Sequence, residues 1–337
     1  MKAYRFDDFR SLDDLRLHDE AEPRPQRGEV LVRVHAVSLN YRDIAMVKGR
    51  YPRAHRHGLI PTSDGAGEII AVGEGVEAFK AGDRVIGAFH PRWFAGPMHA
   101  TMGQEAYGDQ NDGWLVERKV LPQDAVVKFG DALSYEEAAT LPCAGLTAWT
   151  ALSGPQPIRA GHSVLVQGTG GVSIFALQLA RAVGARVIAT TSSLAKAERL
   201  LALGASDVVN YVETPAWGAR VRALANGRGV DRVVEVGGPG TINQSLRAVA
   251  PGGEIASIGF LTEDNPGIDF FALKLSSASI RNIAVGDRAG LQELVRVVDG
   301  AGVKPIVDCV FPFAQAREAF AYLETGAHFG KVAIRVA

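Results

Sequence analysis

The pattern of hydrophobic and polar residues in the first 130 positions predicts short β-strands separated by turns. Positions 32–35 alternate apolar and polar side chains, as expected for a strand with one buried face. Two further β-type runs, 68–72 and 84–89, lie next to glycine-containing turns. Short strands at this spacing indicate a partly open β-barrel. Positions 90–113 show no periodicity, which is typical of a long lid or binding loop.

After about position 155 the pattern changes to strands that alternate with helices. The apolar run Ser163–Gln167 is followed by a glycine turn and by the helical pattern of 172–183. More β-type runs follow, with helical stretches between most of them, at 186–190, 207–210, 232–236, 254–258 and 280–285. Six strands in this arrangement predict an α/β fold with a doubly wound parallel sheet, which binds its ligand at the carboxyl ends of the strands.

The 337 residues carry 36 Lys and Arg against 37 Asp and Glu, so the formal net charge is −1. This balance argues against nucleic acid or an anionic membrane as the main partner, because both favour a basic surface. The N-terminus lacks the apolar core of a signal peptide, and no apolar run is long enough for a membrane-spanning helix. We therefore expect a cytoplasmic protein. Two cysteines, Cys143 and Cys309, are too few for a four-cysteine zinc lobe.

The strongest motif is the turn that joins the first predicted strand of the parallel sheet to its helix. It reads Gly168-Thr169-Gly170-Gly171-Val172-Ser173. Gly168 and Gly170 match the first two positions of the dinucleotide fingerprint Gly-x-Gly-x-x-Gly, and Ser173 replaces the third. The first glycine permits the tight turn, and the second lets the backbone approach a pyrophosphate at the helix N-terminus. Its place between a strand and a helix favours dinucleotide binding over a purely structural turn.

The end of the next strand indicates which dinucleotide is bound. NAD sites usually carry an acidic residue about 20 positions after the glycines, where it binds the ribose 2′-hydroxyl. Here Thr191 and Ser192 end the strand, and the first acid that follows is Glu198. These hydroxyls and Lys196 could receive a 2′-phosphate, so the sequence predicts NADP(H). The alternative interpretation is that Ser192 or Ser193 caps the next helix.

Several segments in one order along the chain resemble the medium-chain dehydrogenase/reductase superfamily. They are Ser63-Asp64-Gly65-Ala66-Gly67-Glu68, Gly82-Asp83-Arg84-Val85, positions 139–148, the glycine turn, and Gly204-Ala205 before Val209-Asn210-Tyr211. The resemblance implies a GroES-like catalytic domain at 1–130 with 305–337, and a Rossmann NADP(H)-binding domain at 131–304. It also implies an active site between the domains, and a homodimer or homotetramer joined through the edge of the Rossmann sheet.

The chain departs from the zinc-dependent members of this superfamily. Those members bind the catalytic metal with a Cys, a His from a Gly-His-Glu segment and a second Cys. The matching positions here are Asn40, Ser63 and Cys143, with Asp64 in place of the Glu. One thiolate and one carboxylate do not complete a zinc site, so we expect no catalytic metal. The segment that begins at Asn40 is instead similar to the Asn-x-x-Asp segment of zinc-free quinone oxidoreductases and enoyl or alkenal reductases.

Without a metal, hydrogen-bond donors must stabilise the charge that hydride transfer creates on the acceptor. Tyr41 is the candidate proton donor, because a phenol can donate to a carbonyl oxygen. Asn40 could donate through its amide, and Asp43 would hold neighbouring groups in place. The alternative is that Asn40 satisfies backbone groups and Asp43 caps the following helix. Aromatic residues of the 90–114 insertion either line an acceptor pocket or pin the loop.

The resemblance further implies a set of cofactor-binding residues. Lys196 and Tyr211 match positions that contact the adenosine 2′-phosphate, and loops after the later strands would line the nicotinamide. Phe329 and Lys331 would close the same cleft. The complete set is Thr147, Gly168, Thr169, Gly170, Gly171, Val172, Thr191, Ser192, Lys196, Tyr211, Gly237, Gly259, Phe260, Val285, Phe329 and Lys331.

These features predict a zinc-independent, NADPH-dependent oxidoreductase that transfers a hydride to a quinone or to an activated C=C bond. The expected acceptor is a small apolar carbonyl compound or quinone. A metal-free NADP(H)-dependent alcohol dehydrogenase or carbonyl reductase is the nearest alternative, because no residue decides where the hydride is placed. A nucleotide-binding protein without catalysis is a second alternative.

Overall fold

The computed structural model describes residues 1–51, 56–99 and 105–337. These residues form two compact units, Met1–Leu146 with Gly286–Ala337, and Thr147–Val285. The first unit is therefore discontinuous in sequence, because the C-terminal segment returns to it.

The first unit contains a two-stranded sheet and, within its described residues, a larger seven-stranded sheet. Its strands are β1 (Lys2–Phe6), β2 (Leu15–Asp19), β3 (Glu29–Ser38), β4 (Asp64–Val72), β5 (Arg84–Gly87), β6 (Arg118–Pro122), β7 (Val126–Lys128), β14 (Val307–Pro312) and β15 (Lys331–Arg335). The larger sheet has the order β14-β15-β3-β4-β5-β7, and β6 also pairs with β3. β15 runs antiparallel to β3, so the β-type tail pairs with the N-terminal strands.

Helices and one π-helical turn pack on this sheet. They are α1 (Tyr41–Val47), α2 (Tyr135–Ala138), the π-helical turn Leu141–Gly145, α9 (Arg288–Ala301) and α10 (Ala316–Glu324), and α3 (Leu146–Ser153) follows the turn. α2 packs on β3 and β4, and α9 packs on β7 and on the π-helical turn. The resemblance assigned 131–146 and 286–304 to the nucleotide-binding domain. In the structure both segments belong to the first compact unit, because α2, the π-helical turn and α9 make these contacts within it.

Trp114 fills the core of the first unit between two strands. The indole is fully buried, and a Cβ built on Gly65 or Gly87 would lie 2.2 Å from one of its ring carbons. Strands β4 and β5 therefore require glycine where they face this ring. The backbone N–H of Trp114 donates to the carbonyl of Thr62 at 3.0 Å, and Thr62 has a φ of +69°, which is strained for a β-branched residue. The tryptophan thus anchors the segment that leads into β4.

The 90–114 insertion is attached to the first unit at both of its ends. Near its start, the N–H of Arg288 in the first turn of α9 donates to the carbonyl of Trp93 at 2.9 Å. Near its end, Tyr107 and Trp114 are buried, so these two aromatic residues pin the loop. Positions 100–104 of the insertion lie outside the described residues.

The second unit is a parallel six-stranded sheet with helices between successive strands. The strands are β8 (Ser163–Gln167), β9 (Arg186–Thr191), β10 (Asp207–Asn210), β11 (Val230–Glu235), β12 (Val249–Ser257) and β13 (Ser279–Asn282). The helices are α4 (Gly171–Ala182), α5 (Leu194–Ala202), α6 (Trp217–Leu224), α7 (Ile242–Ala248) and α8 (Phe270–Ser276). The strand order is β10-β9-β8-β11-β12-β13, which confirms the predicted doubly wound α/β fold. Strand order reverses between β8 and β11, which is where such sheets bind their ligands.

No helix in ranges 1–51, 56–99 and 105–337 combines the length and the apolar character needed to cross a lipid bilayer.

A buried ion cluster ties the end of α3 to the sheet of the second unit. Arg232 on β11 is 1% exposed, and its Nη1 lies 3.3 Å from Oε1 of Glu254 on β12. Arg281 on β13 reaches the same oxygen at 2.9 Å. Both guanidinium groups also donate to carbonyls in the last turns of α3, from Arg232 to Ala151 and from Arg281 to Thr150. Cations at a helix C-terminus are favourable, so the cluster stabilises both the helix and the strand pairing.

We expect Arg232→Met to lower the free energy of unfolding by about 3 kcal/mol, because it leaves Glu254 buried with one cation fewer. Urea titration monitored by circular dichroism measures this loss. Arg228→Met is the matched control, since the Arg228 guanidinium is 61% exposed in its pair with Asp231. That variant should lose less than about 1 kcal/mol. Equal losses in the two variants would contradict the assigned role of the cluster.

Candidate functional site

A cluster of polar side chains lies where β3, β4, β15 and the π-helical turn come together in the first unit. Asn40 follows β3, Ser63 and Asp64 stand at the start of β4, Cys143 lies in the π-helical turn and Lys331 begins β15. Cys143 is partly exposed, and the other four residues are buried. The positions that resemble the zinc-ligand positions of the superfamily are therefore brought together, and Lys331 joins them.

Hydrogen bonds connect the cluster from the ammonium of Lys331 to the carboxylate of Asp64. The Nζ of Lys331 donates to the Asn40 Oδ1 at 2.7 Å and also to the carbonyl of Leu39. The Nδ2 of Asn40 donates in turn to Oδ2 of Asp64 at 2.9 Å. Asp64 also accepts from the Ser63 hydroxyl at 2.8 Å and from the Cys143 backbone N–H at 3.3 Å. The Asn40 amide is thus held on both sides, between a cation and an anion.

Burial sets the ionisation of this cluster. It raises the pKa of Asp64 to about 6, against the opposing effects of the Lys331 charge and of the hydrogen bonds from Asn40 and Ser63. Burial lowers the pKa of Lys331, and the nearby Asp64 carboxylate opposes that change. The pKa of the Cys143 thiol is raised, first by burial and then by Asp64, so this thiol stays protonated at neutral pH. The titration of Asp64 therefore falls just below neutral pH.

The three predicted catalytic residues occupy the start of α1. The backbone N–H of Asn40 donates to Oδ2 of Asp43 at 2.8 Å, so the Asp43 side chain caps the helix in the structure. The Nδ2 of Asn40 donates to the Asp64 carboxylate at 2.9 Å and, at 3.5 Å, to the Ser63 hydroxyl. Tyr41 is the first residue of α1 and is half-buried. Asn40 and Asp43 therefore fix the first turn of the helix, which contains Tyr41.

The donor set of this cluster does not fit a zinc ion. Zinc requires deprotonated cysteine, neutral histidine or carboxylate ligands. The cluster offers a thiol whose pKa is raised and a carboxylate that already accepts three hydrogen bonds. The Lys331 ammonium, 2.7 Å from the Asn40 amide oxygen, would also repel a metal cation. Across the part of the chain that the structure describes, no group of three or more His, Cys, Asp and Glu side chains is arranged to hold a metal.

The glycine turn of the second unit fits the pyrophosphate of a dinucleotide. Gly168 has a φ of +69°, and a Cβ built on Gly168 or Gly170 meets no atom within 4 Å, so the backbone borders open space. Gly170 caps α4 without a side-chain hydrogen bond, which leaves the N–H groups of the first turn directed outward. The Ser173 hydroxyl donates to the carbonyl of Gln167 at 2.6 Å and thereby packs α4 against β8. Predicted residues Thr169, Gly171 and Val172 complete the same turn.

The ends of β9 and β10 bring the predicted 2′-phosphate residues to one edge of the sheet. The N–H of Tyr211 donates to the carbonyl of Thr191 at 3.0 Å. The Ser193 hydroxyl accepts the Lys196 N–H at 3.4 Å and caps α5, so the capping interpretation holds for Ser193. Ser192 is exposed, and Lys196 is half-buried in the first turn of the helix. Residues with hydroxyl groups and Lys196 follow β9 at this edge, and positions 189–197 contain no carboxylate.

The loops after β11 and β12 pack backbone against backbone. A Cβ on Gly259 would lie 2.0 Å from the carbonyl oxygen of Val236, and one on Gly238 would lie 2.7 Å from the Gly259 oxygen. Predicted residues Gly237, Gly259 and Phe260 are therefore neighbours at the carboxyl ends of these strands. Close glycine packing explains why neither loop carries side chains at these points.

The remaining predicted cofactor residues are spread over both units. Thr147 and Val285 lie at the two ends of the second unit, and Val285 has a φ of +64°, which is unusual for a β-branched residue. Phe329 and Lys331 belong to the first unit, where Phe329 is buried and the Lys331 ammonium is engaged with Asn40.

Sequence reasoning missed two buried polar residues of the second unit, Gln167 and Glu235. Each is the last residue of its strand and follows a run of apolar residues, Val164–Val166 in β8 and Val233-Val234 in β11, and Glu235 is followed by Val236-Gly237-Gly238. Their side chains bond to each other at 2.7 Å. A charged residue after two valines at the carboxyl end of a predicted strand, one residue before a glycine pair, is the signal that could have identified Glu235.

Comparison with known proteins places these features in a family. Residues 26–131 match the alcohol dehydrogenase GroES-like domain, and residues 171–300 match the zinc-binding dehydrogenase model. A zinc-type alcohol dehydrogenase-like protein of Schizosaccharomyces pombe is 40% identical over 98% of this chain and 97% of its own length. An acryloyl-coenzyme A reductase of Metallosphaera sedula is 29% identical over 92% of this chain and 93% of its own length.

Solved structures agree with this relationship. A candidate alcohol dehydrogenase from Sinorhizobium meliloti has a TM-score of 0.91 and 41% identity over 99% of each chain. An NAD-dependent alcohol dehydrogenase has the same TM-score and 33% identity over the whole of both chains. A mycobacterial protein in complex with NADPH has a TM-score of 0.82 and 28% identity, again over both whole chains. This chain therefore belongs to the medium-chain dehydrogenase/reductase superfamily of oxidoreductases.

Proposed function

We propose that the protein is a zinc-independent, NADPH-dependent reductase of a small molecule with an activated C=C bond, such as an enal or enone. The observation that carries this proposal is the chain of hydrogen bonds from Lys331 through Asn40 to Asp64, in which Asn40 stands at a position that resembles a zinc ligand. A saturated carbonyl that accepts a hydride becomes a strongly basic alkoxide, which a metal ion stabilises well. A conjugated acceptor spreads the charge, so hydrogen-bond donors suffice.

Hydrogen-bond donors would also suffice for a quinone, because its reduction gives a phenolate-type anion whose charge is delocalised. The sequence of the M. sedula acryloyl-coenzyme A reductase, similar over most of this chain, supports C=C reduction in particular. We therefore place the activated alkene first and the quinone second among the acceptors.

NADP(H) is the proposed cofactor. The open glycine turn at Gly168 and Gly170 supports a dinucleotide, and the edge formed by Ser192, Lys196 and Tyr211 supports a 2′-phosphate. Similar proteins differ here, since one is named NAD-dependent and another was solved with NADPH. The absence of a carboxylate after β9 is therefore the feature that favours NADP(H). When bound, this cofactor supplies the hydride.

Residues of the first unit supply the remaining chemistry in this proposal. Hydride addition to the β-carbon leaves negative charge on the carbonyl oxygen, and the Tyr41 phenol donates a hydrogen bond to that oxygen. A proton from solvent then completes the bond at the α-carbon. Asn40 and Asp43 hold the first turn of α1, and Lys331 fixes the Asn40 amide. The net change is addition of one hydride and one proton to the alkene.

The exposed edge of the second unit supports a homodimer. Strand β13 pairs with β12 alone, so its other edge is unpaired within the fully described second unit. The adjoining segment exposes large apolar side chains, including Phe270 at 67%, Phe271 at 72% and Leu275 at 80%. Ile280 on β13 itself is 37% exposed. An apolar surface beside an open strand edge is typical of an interface between subunits.

The first test uses a conjugated enal with NADPH that carries deuterium at the transferable position. We expect a saturated aldehyde with deuterium on the β-carbon, identified by NMR and mass spectrometry, and a lower kcat/KM with NADH. A chelator should leave the rate unchanged. An allylic alcohol as product would replace this proposal by metal-free carbonyl reduction. NADPH binding without turnover of any enal, enone or quinone would favour a non-catalytic protein.

The second test is the pH dependence of the same reaction. The pKa of Asp64 is raised to about 6, so its carboxylate form, which accepts from Asn40, predominates only above that pH. We expect kcat/KM to fall as the pH decreases through about 6. The side chain of Asp64→Asn cannot titrate, so kcat/KM of this variant should be lower overall and should not fall at acidic pH. The control Asp131→Asn, at a 99% exposed side chain paired with Arg84, should keep the decrease at acidic pH. If kcat/KM of Asp64→Asn still falls through about pH 6, the Asp64 carboxylate is not the origin of the pH dependence.

The third test concerns the dimer. Light scattering after gel filtration should give twice the chain mass of 35.8 kDa for the natural sequence. The double variant Leu275→Lys with Ile280→Lys places charge on the apolar edge and should give a monomer. Leu17→Lys is the control in the first unit, because the 42% exposure of Leu17 is close to the 37% of Ile280. This variant should remain dimeric. A monomeric natural protein would refute the interface.

A further inference from the structure

Glu235 ends β11 with a carboxylate that is completely buried beneath the following loop. Its Oε1 accepts the backbone N–H groups of Gly237 and Gly238, each at 2.9 Å, and the hydroxyl of Thr241 at 2.5 Å. One oxygen therefore holds the loop at 236–240 in a single conformation. Charge-assisted hydrogen bonds of this kind are stronger than those between neutral groups.

The second carboxylate oxygen connects this loop to the glycine turn. It accepts the Gln167 Nε2 at 2.7 Å and the hydroxyl of Ser245. The Oε1 of Gln167 in turn accepts the N–H groups of Val236 and Gly237, at 3.2 and 3.3 Å. Gln167 directly precedes the glycine turn on β8, so the two side chains join the carboxyl ends of β8 and β11.

A third loop rests on the one that Glu235 holds. The N–H of Thr262, after β12, donates to the carbonyl of Gly237 at 2.9 Å, and the N–H of Gly240 donates to the Thr262 hydroxyl at 2.8 Å. The Glu235 carboxylate thus lies beneath the loops that follow three adjacent strands. This is the part of a doubly wound sheet at which ligands bind.

The partners of Glu235 distinguish it from the other buried glutamate of the sheet. Glu254 is neutralised by Arg232 and Arg281, so its role is to pair with cations. Glu235 has neutral donors as its hydrogen-bond partners, and no lysine or arginine of the fully described second unit forms an ion pair with it. A buried charge without a counter-ion is costly, so a stable fold alone does not account for it.

We propose that Glu235 is a positioning residue for the nicotinamide cofactor. Its carboxylate fixes the loop at 236–240, and through Gln167 it sets this loop relative to the glycine turn. Cofactor affinity depends on this fixed arrangement, because an ordered loop loses less conformational freedom on binding. The inference rests on the proposed NADPH-dependent function.

The variant Glu235→Gln keeps the shape of the side chain but replaces one acceptor oxygen by an NH2 donor. All partners of the carboxylate are donors, and an amide has only one acceptor oxygen. If that oxygen faces Gly237 and Gly238, the new NH2 group opposes the Gln167 NH2 group. Gln167 must then turn over, which removes the acceptor of the Val236 N–H, while the Gly237 N–H keeps its bond to the oxygen of residue 235. Either orientation leaves at least one N–H group of this loop without its acceptor, that of Val236 or that of Gly238.

The experiment compares Glu235→Gln with Glu254→Gln, since both remove one buried carboxylate from adjacent strands. Titration calorimetry gives the Kd for NADPH, and deuterium exchange follows the amides of 236–241. We expect Glu235→Gln to raise the Kd by about tenfold or more and to accelerate exchange in this segment. Glu254→Gln should lower the thermal midpoint comparably but leave the Kd within about twofold. A larger rise in KM for NADPH than fall in kcat should accompany the first variant.

A milder variant covers the case in which Glu235→Gln does not fold. Thr241→Val removes one donor to the carboxylate without changing side-chain shape, and we expect a smaller rise in Kd in the same direction. Unchanged Kd and exchange in both variants would overturn the positioning role while leaving the proposed function intact. If the natural protein binds no NADPH, the proposed function fails, and an unaltered exchange pattern would then also refute the loop-fixing role.

Discussion

Burying a charge without partners costs more free energy than most single interactions supply, and this constraint governs both units. In the first unit the Lys331 ammonium and the Asp64 carboxylate are joined through the amide of Asn40. In the second unit Glu235 is held by backbone N–H groups, hydroxyls and the Gln167 amide. Lys331, Asp64 and Glu235 all stand at ends of strands. Satisfying their charges therefore also fixes the loops that these strands support.

The parallel sheet and its glycine turn could be predicted because their signals are local. Strand, turn and helix around Gly168 follow one another within about a dozen residues, and the strand order confirms the predicted topology. The boundaries between the compact units carry no comparable local signal in the sequence. The helix α9 has the same pattern whichever sheet it packs on, and its N-terminal Arg288 bonds to Trp93, far away in the sequence. Helical periodicity cannot show that contact.

The polar cluster of the first unit shows the corresponding limit for a site. Sequence motifs predict Asn40 and Asp43 as site residues, and spacing at the start of α1 accounts for the bond between them. The bond between Asn40 and Lys331 joins residues 291 positions apart, so no motif contains both. Lys331 could be assigned to the cofactor by resemblance, but its ammonium lies with Asn40 and Asp64. Tertiary structure determines which groups contact a buried charge, so these partners can be identified only in the folded chain.

The same cluster links a change in ligand residues to the choice of acceptor. An open metal site binds substrate or water at a free coordination position. Here the cation is Lys331, a covalent part of the chain, and its ammonium is committed to oxygen atoms of Leu39 and Asn40. In the proposed reaction it can therefore orient the amide beside it but cannot take an alkoxide as a ligand. An acceptor whose developing charge is already delocalised removes the need for such a ligand. Under the proposed function, the ammonium of Lys331 beside the positions that resemble zinc ligands and the preference for conjugated acceptors are then two consequences of one electrostatic arrangement.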